Sequence, residues 1–96
     1  MVVSNIITYQ AFGTLSGDLS SLLAVPAYSE AIRKVIGESI TSEKDNEVIA
    51  ACDAVYEDHR KNHPAWKGTI EIHKIRGTSS STETLPSTVI KTYKYE

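Results

Sequence analysis

The sequence predicts an α+β fold of two layers, in which one strand is followed by two or three helices and a C-terminal β-hairpin. Residues 2–12 are rich in β-branched and aromatic side chains, residues 18–62 carry helix start and stop signals, and residues 69–75 and 87–96 read as strands. We therefore expect a three-stranded antiparallel sheet with the helices on one face. The chain of 96 residues is short enough to form one domain.

The first strand is predicted at residues 2–12, "VVSNIITYQAF". Both of its faces are apolar, with Val3, Ile7, Tyr9 and Ala11 on one and Val2, Ile6 and Phe12 on the other. A strand of this kind is expected at the centre of a sheet or covered on both sides. The competing interpretation is a helix over the same residues, which would give the element order of a winged-helix domain.

Two helical segments are predicted before residue 37. Residues 18–25 can form a short helix capped by Asp18 or Ser16, and Pro26 suits the first turn of a helix at 26–36. A bend at Val25–Pro26 is expected between them. In one continuous helix, Leu19, Leu22 and Leu23 would lie on the side opposite to the apolar stripe of residues 26–36. That stripe comprises Tyr28, Ala31, Ile32, Val35 and Ile36.

The next helix is predicted at residues 42–62. Its start resembles a capping box, with Ser42 as the cap and Asp45 where Glu or Gln is more usual. Pro64 disfavours a helical conformation at His63 and so ends the helix near Asn62. The hairpin strands "TIEIHKI" (69–75) and "STVIKTYKYE" (87–96) then follow, joined by a polar Ser/Thr-rich segment at 77–86 that we expect to be flexible.

The composition is that of an ordinary globular protein, with 41% hydrophobic and 23% charged residues. No apolar run is long enough to cross a bilayer, and no basic region precedes the apolar N-terminal residues as in a secretory signal. The single cysteine excludes an internal disulfide framework, so a cytoplasmic protein is expected. Asp18 is the only charged residue in 1–29, which indicates a segment covered by the rest of the fold or by a second chain.

The stretch "CDAVYEDHRKNHPAW" (52–66) raises the question of a metal site. His59 and His63 have the i,i+4 spacing of two zinc ligands on a helix, and a third ligand would have to be His73 on the next strand or a carboxylate. Cys52 lies eleven residues before His63, ~16 Å along a helix, which is too far for it to share one ion with that histidine. Cys52 and His59 fall on the apolar stripe of the helix, so we favour core-facing side chains and predict no metal, no cofactor and no catalytic residue.

The sequence thus favours a small non-enzymatic interaction domain, a regulator, inhibitor or accessory subunit that binds another protein and also associates with itself. The predicted partner-binding side chains are aromatic: Tyr9, Phe12, Trp66, Tyr93 and Tyr95. One alternative is a metal or small-ligand binder that uses His59, His63 and His73.

The other alternative is weak nucleic-acid binding by a basic and aromatic surface on the hairpin. Its residues would be Lys67, Lys74, Arg76, Lys91 and Lys94 with Trp66, Tyr93 and Tyr95. The acidic helix at 42–62 argues against it, because it would repel phosphates.

Overall fold

The computed structural model describes residues 5–37, 40–78 and 87–96. Its elements are β1 (Asn5–Ser16), a 3₁₀ helix (Leu19–Leu23), α1 (Ala24–Ile36), α2 (Asp45–Asn62), β2 (Lys67–Thr78) and β3 (Ser87–Tyr95). The predicted α+β class is confirmed. The described residues form two α-helices, not three, because the segment expected to be a further short helix adopts the tighter 3₁₀ geometry.

The three strands form one antiparallel sheet in the order β1-β2-β3. The hairpin pairs β2 with β3, and this leaves the other side of β2 for β1. The expectation that β1 is central or doubly covered is therefore wrong, because β1 is an edge strand and its Phe12 side chain is 45% exposed. The alternative helix over residues 2–12, and with it the winged-helix order, is also wrong for the described residues from Asn5 onward.

The core lies between one face of the sheet and the two α-helices. Side chains alternate across a strand, so the buried residues of each strand belong to one face. The sheet contributes Ile7, Tyr9, Ala11, Leu15, Ile70, Ile72, Tyr93 and Tyr95, and the helices contribute Ala24, Tyr28, Ile32, Ile36, Val48 and Cys52. The opposite face of the sheet carries half-buried and exposed side chains such as Thr8, Gln10 and Thr92.

Helix α1 has the predicted stripe. Tyr28, Ile32 and Ile36 recur every four residues and are all buried. Gly37 ends the helix at a φ of 70°, and its N–H donates to the carbonyl oxygen of Arg33 over 2.8 Å. Because this φ favours glycine, the predicted stop at Gly37 has a direct structural cause.

Helix α2 begins three residues later than the predicted capping box. Lys44 occupies the N-cap position, and its side chain makes no capping hydrogen bond. The Tyr9 hydroxyl of β1 accepts the Lys44 N–H over 2.8 Å and donates to Asp45 Oδ1 over 2.5 Å. The predicted cap at Ser42 is therefore wrong, because a tyrosine from a distant strand satisfies the helix start instead.

The predicted flexible segment at 77–86 begins within β2, which runs to Thr78, and its remainder lies outside the described residues. Val2 and Val3 of the predicted first strand lie outside them as well. No helix among the described residues is both long and apolar enough to cross a membrane.

Candidate functional site

His59, the first candidate metal ligand, lies in the core. Its ring is only 7% exposed, and its Nδ1 atom is 3.0 Å from the hydroxyl oxygen of Tyr95. That hydroxyl is in turn 2.5 Å from the hydroxyl of Tyr28, so the three side chains connect α1, α2 and β3. Burial lowers the pKa of His59, which keeps the imidazole neutral at pH 7.

His63 is placed by an aromatic neighbour. Its ring stacks on Trp66 with the centroids 3.9 Å apart and an interplanar angle of 4°. The Trp66 indole N–H donates to Asp18 Oδ1 over 3.2 Å, so the end of α2 is linked to the turn after β1. This histidine therefore packs over a buried tryptophan at the edge of the core.

His73 lies on the opposite face of the sheet from the other two histidines. Its neighbours on the same face are Phe12, with ring centroids 4.8 Å apart, and Glu71, whose Oε1 is 3.3 Å from His73 Nε2. The fold thus brings His59 and His63 to the same end of the core but does not bring His73 to them. In residues 5–37, 40–78 and 87–96, no group of three or more His, Cys, Asp or Glu side chains is arranged to hold a metal ion.

Four of the five predicted partner-binding aromatics are core residues. Tyr9, Trp66, Tyr93 and Tyr95 are each 2% or 3% exposed. Tyr93 donates from its hydroxyl to Asp53 Oδ1 over 2.6 Å, and burial raises the pKa of this phenol well above its usual range. Of the five, only Phe12 presents its ring to solvent, with 45% exposure.

The basic and aromatic surface predicted on the hairpin is not assembled. Its aromatic members are buried, and Lys74 points into the molecule with 9% exposure. Lys74 Nζ lies 2.9 Å from Asp45 Oδ2 and 3.4 Å from Glu43 Oε1, and Arg76 also pairs with Glu43. These cations are neutralised within the fold, which weakens the nucleic-acid interpretation.

Asp45, which pairs with Lys74, also accepts the hydrogen bond from Tyr9 at the start of α2. Burial raises the pKa of Asp45, but the hydrogen bonds from Tyr9 and Lys74 outweigh it and hold this pKa below its usual value. The carboxylate is therefore ionised at neutral pH and joins β1, α2 and β2 through Tyr9, Asp45 and Lys74. Tyr9, Asp45 and Lys74 each have a hydrogen-bond partner, so we assign this network a role in stabilising the fold.

The most unusual exposed feature is a group of three leucines on the 3₁₀ helix, here named the leucine patch (Leu19, Leu22 and Leu23). These side chains are 86%, 71% and 65% exposed. Leu19 and Leu22 are three residues apart and therefore lie on the same side of a 3₁₀ helix. Scattered exposed leucines are ordinary, but three within five residues concentrate exposed apolar side chains on one short segment.

Polar contacts hold this segment with its leucines outward. Ser21 is 6% exposed, and its Oγ lies 2.7 Å from the Asp18 carbonyl oxygen and 3.1 Å from the Leu15 carbonyl oxygen. Asp18 caps the segment by accepting the Ser20 N–H over 2.8 Å, as the sequence predicted. The serine thus faces inward while the leucines face solvent, which inverts the usual pattern.

Sequence reasoning missed the leucine patch because it treated apolar residues as core candidates. The signal that was available is the spacing in "DLSSLL", where a 3₁₀ period puts Leu19 and Leu22 on one side and Ser21 on another. Asp18 is the only charged residue in 1–29, and this composition left coverage by a second chain open as a prediction. Comparison of the chain with models of known protein families, with curated proteins and with solved structures gave no match.

Proposed function

We propose that the protein is a small non-enzymatic interaction domain of the cytoplasm, and that it acts by binding another protein through the leucine patch. The observation that supports this most is the outward orientation of Leu19, Leu22 and Leu23 in a segment whose serine is buried. An apolar surface that is held open by specific polar contacts is suited to contact with a second protein.

The energy available at such a surface is large enough for binding. Burying one leucine side chain contributes about 1.5–3 kcal/mol, and a handful of well-buried side chains carries most of the free energy of a typical interface. Asp18 and Ser20 lie beside the leucines and are partly or fully exposed. They would supply the polar rim that surrounds the apolar centre of an interface.

The shape of the patch indicates the shape of the partner. Leu19 and Leu22 are one 3₁₀ turn apart on the segment between β1 and α1 and are 86% and 71% exposed, so both side chains project into solvent. Projecting apolar side chains are best covered by a groove or pocket, so the partner is expected to present an apolar concave surface. Regulation or inhibition would then follow if the protein occupies a groove that other ligands use.

Affinity capture from the native host tests the proposal. Wild-type protein, a Leu19→Ser/Leu22→Ser/Leu23→Ser variant and a Val89→Ser control are immobilised and compared by mass spectrometry. Val89 is a matched control because it is an apolar residue on β3 with 44% exposure. We expect one protein to be retained by the wild type and the control and lost from the leucine variant. Equal retention by all three would contradict the proposal.

A stability measurement makes the capture experiment interpretable. The three leucines are mostly exposed, so their replacement by serine should leave the midpoint of urea denaturation nearly unchanged, as for other surface substitutions. Loss of a binding partner at unchanged stability then reports on the patch itself. A large fall in the midpoint would instead show that the leucines belong to the core.

A further inference from the structure

A groove between β1 and α1 is a second surface, distinct from the leucine patch. We propose that this groove binds the C-terminal residues of another protein as a short extended strand, with the terminal carboxylate at Arg33. The inference goes beyond the proposed function, because it concerns a different surface and a different kind of contact. Binding here depends on backbone pairing and one ion pair, not on the burial of leucines.

The outer edge of β1 offers backbone hydrogen-bonding groups to such a strand. Ile7 donates its N–H to the Ile40 carbonyl oxygen over 2.7 Å and accepts the Ile40 N–H over 3.0 Å, so its peptide groups point away from β2. Groups on alternate residues point to the same side, and those of Ala11 and Gly13 therefore share this direction. No described residue forms a backbone hydrogen bond with these groups of Ala11 or Gly13. Unpaired groups on a strand edge are a template for the addition of an extended peptide.

The free part of this edge is short. The Ile40 bridge occupies the edge at Ile7, and the Ser21 hydroxyl lies 3.1 Å from the Leu15 carbonyl oxygen at the other end. Residues 8–14 lie between these ends and span about 23 Å at about 3.3 Å per residue. A second copy of β1, with its twelve residues, is too long to pair there in full. A segment of a few residues fits.

The groove beside this edge presents a cation and no acidic side chain. It has a volume of about 410 Å³ and is lined by residues 8–11 on the strand and by Ser29, Ile32 and Arg33 on the helix. No aspartate or glutamate is among the described residues that line it. The Arg33 side chain is exposed and forms no ion pair within the part of the chain that the structure describes. A guanidinium group binds a carboxylate through two parallel hydrogen bonds, so the complementary ligand group is a carboxylate.

The position of Arg33 sets the direction of the bound strand. Helix α1 ends at Gly37 and residue 40 then bridges Ile7, so Arg33, in the last turn of the helix, lies toward the Ile7 end of the groove. A strand that runs antiparallel to β1 has its C-terminus at that end. Beyond this point the Ile40 bridge closes the edge. A chain that terminates at Arg33 therefore fits better than a segment that continues along the edge.

The other edge of the sheet is less suited to strand addition. Strand β3 carries Lys91 and Lys94, and its pairing with β2 is interrupted by a bulge near Ile72 and His73. The Lys94 carbonyl oxygen already accepts the Tyr56 hydroxyl over 2.7 Å. Lysines and bulges are features by which natural proteins prevent pairing at an edge, so β1 is the edge open to a peptide.

Peptide binding measured by fluorescence anisotropy tests the proposal. A mixed library of labelled peptides about six residues long, each with a free C-terminal carboxylate, is enriched on immobilised wild-type protein. The enriched sequences are then made as the free acid and as the C-terminal amide. The acid should bind at least about tenfold more tightly, because the amide loses the charge-assisted hydrogen bonds to Arg33. Enrichment of no sequence, or equal binding of the two forms, would overturn the proposal.

Two variants separate the specific contact from a general effect of charge. Arg33→Gln and Lys34→Gln each remove one exposed cation from α1, but Lys34 pairs with Glu30 over 3.5 Å and is not among the residues that line the groove. Arg33→Gln should weaken binding of the acid at least about tenfold and leave binding of the amide unchanged. Lys34→Gln should bind both forms as the wild type does. Equal losses in the two variants would contradict the assignment of the carboxylate to Arg33.

Amide hydrogen exchange tests the backbone pairing itself. The Ala11 amide should exchange more slowly once the acid peptide is bound, while exchange of the Ile70 amide in the central strand should not change. The triple leucine variant should bind the peptide as the wild type does. An unchanged Ala11 amide, or loss of peptide binding in the leucine variant, would overturn the proposal. Either result would leave the capture experiment on the leucine patch valid, because that experiment does not involve the groove.

Discussion

The Nδ1 atom of His59 lies 3.0 Å from the hydroxyl oxygen of Tyr95 inside the core. The same hydroxyl is 2.5 Å from the Tyr28 hydroxyl. His59, which the sequence offered as a possible metal ligand, therefore belongs to a buried hydrogen-bond network with Tyr95 and Tyr28. Such a network stabilises the fold only while each member keeps its partner, because an unpaired polar group in the core is costly.

Replacing His59 should expose this dependence. From the sequence, His59→Leu is expected to be tolerated or stabilising, but the bond to Tyr95 changes that expectation to a loss of about 1 kcal/mol in the free energy of unfolding. Tyr95→Phe should cost a similar amount. Urea denaturation of both single variants and the double variant should show a coupling of about 0.5 kcal/mol or more. Strictly additive losses would mean that the two side chains do not interact.

The stability of the protein should depend on pH through the same histidine. Burial lowers the pKa of His59 below its ordinary value of 6.5, so the unfolded chain binds a proton more readily than the folded chain. The free energy of unfolding should therefore fall as the pH drops through about 6.5 and should level off below the folded pKa. Denaturation at a series of pH values should show this slope in the wild type and a smaller slope in His59→Leu. Equal slopes in the two proteins would assign the pH dependence to other groups.

The start of α2 gives a prediction with an internal control. Tyr9→Phe removes the hydroxyl that accepts the Lys44 N–H and donates to Asp45, and should lower the free energy of unfolding by about 1–2 kcal/mol. Ser42→Ala should change it by less than about 0.5 kcal/mol, because Ser42 lies outside the helix and does not cap it. If urea denaturation showed a larger loss of unfolding free energy for Ser42→Ala than for Tyr9→Phe, the helix would start at the predicted capping box instead.

Cys52 should be unreactive in the folded protein. Its side chain is fully buried, and burial raises the pKa of the thiol to about 12. Thiolate is the reactive form, so a thiol reagent should modify Cys52 slowly in the native state and rapidly in denaturant. A Cys52→Ala/Val89→Cys variant supplies an exposed thiol for comparison and should react quickly in both states. Fast native-state modification of Cys52 would contradict its place in the core.

The sequence predicted the elements of the fold better than their arrangement. Period and turn chemistry were sufficient for α1, for the hairpin strands and for the stop at Gly37, since each depends on residues close in the chain. The position of β1 at the edge depends on which strand pairs with β2, and neighbouring residues do not encode that choice. The Ser42 cap failed for a related reason, because the true partner of the helix start is Tyr9, thirty-five residues away.

The candidate surface was harder to predict than the fold. The aromatics expected at an interface are the largest apolar side chains available to a short chain, and Tyr9, Trp66, Tyr93 and Tyr95 were needed to fill its core. The leucines were free to point outward because Asp18 and Ser21 satisfy the polar groups of their segment. The spacing in "DLSSLL" places Ser21 on another side from Leu19 and Leu22, but only the three-dimensional contacts show which side faces solvent.

Site-specific photo-crosslinking tests the central claim, that the leucine patch is the binding surface, most directly. A photoreactive amino acid is placed at Leu22 or, as the control, at Val89, and each protein is irradiated in extract from the native host. The account predicts a covalent adduct from position 22 that contains the protein retained in the capture experiment, and no such adduct from position 89. Adducts of equal yield from both positions, or none from position 22, would contradict it.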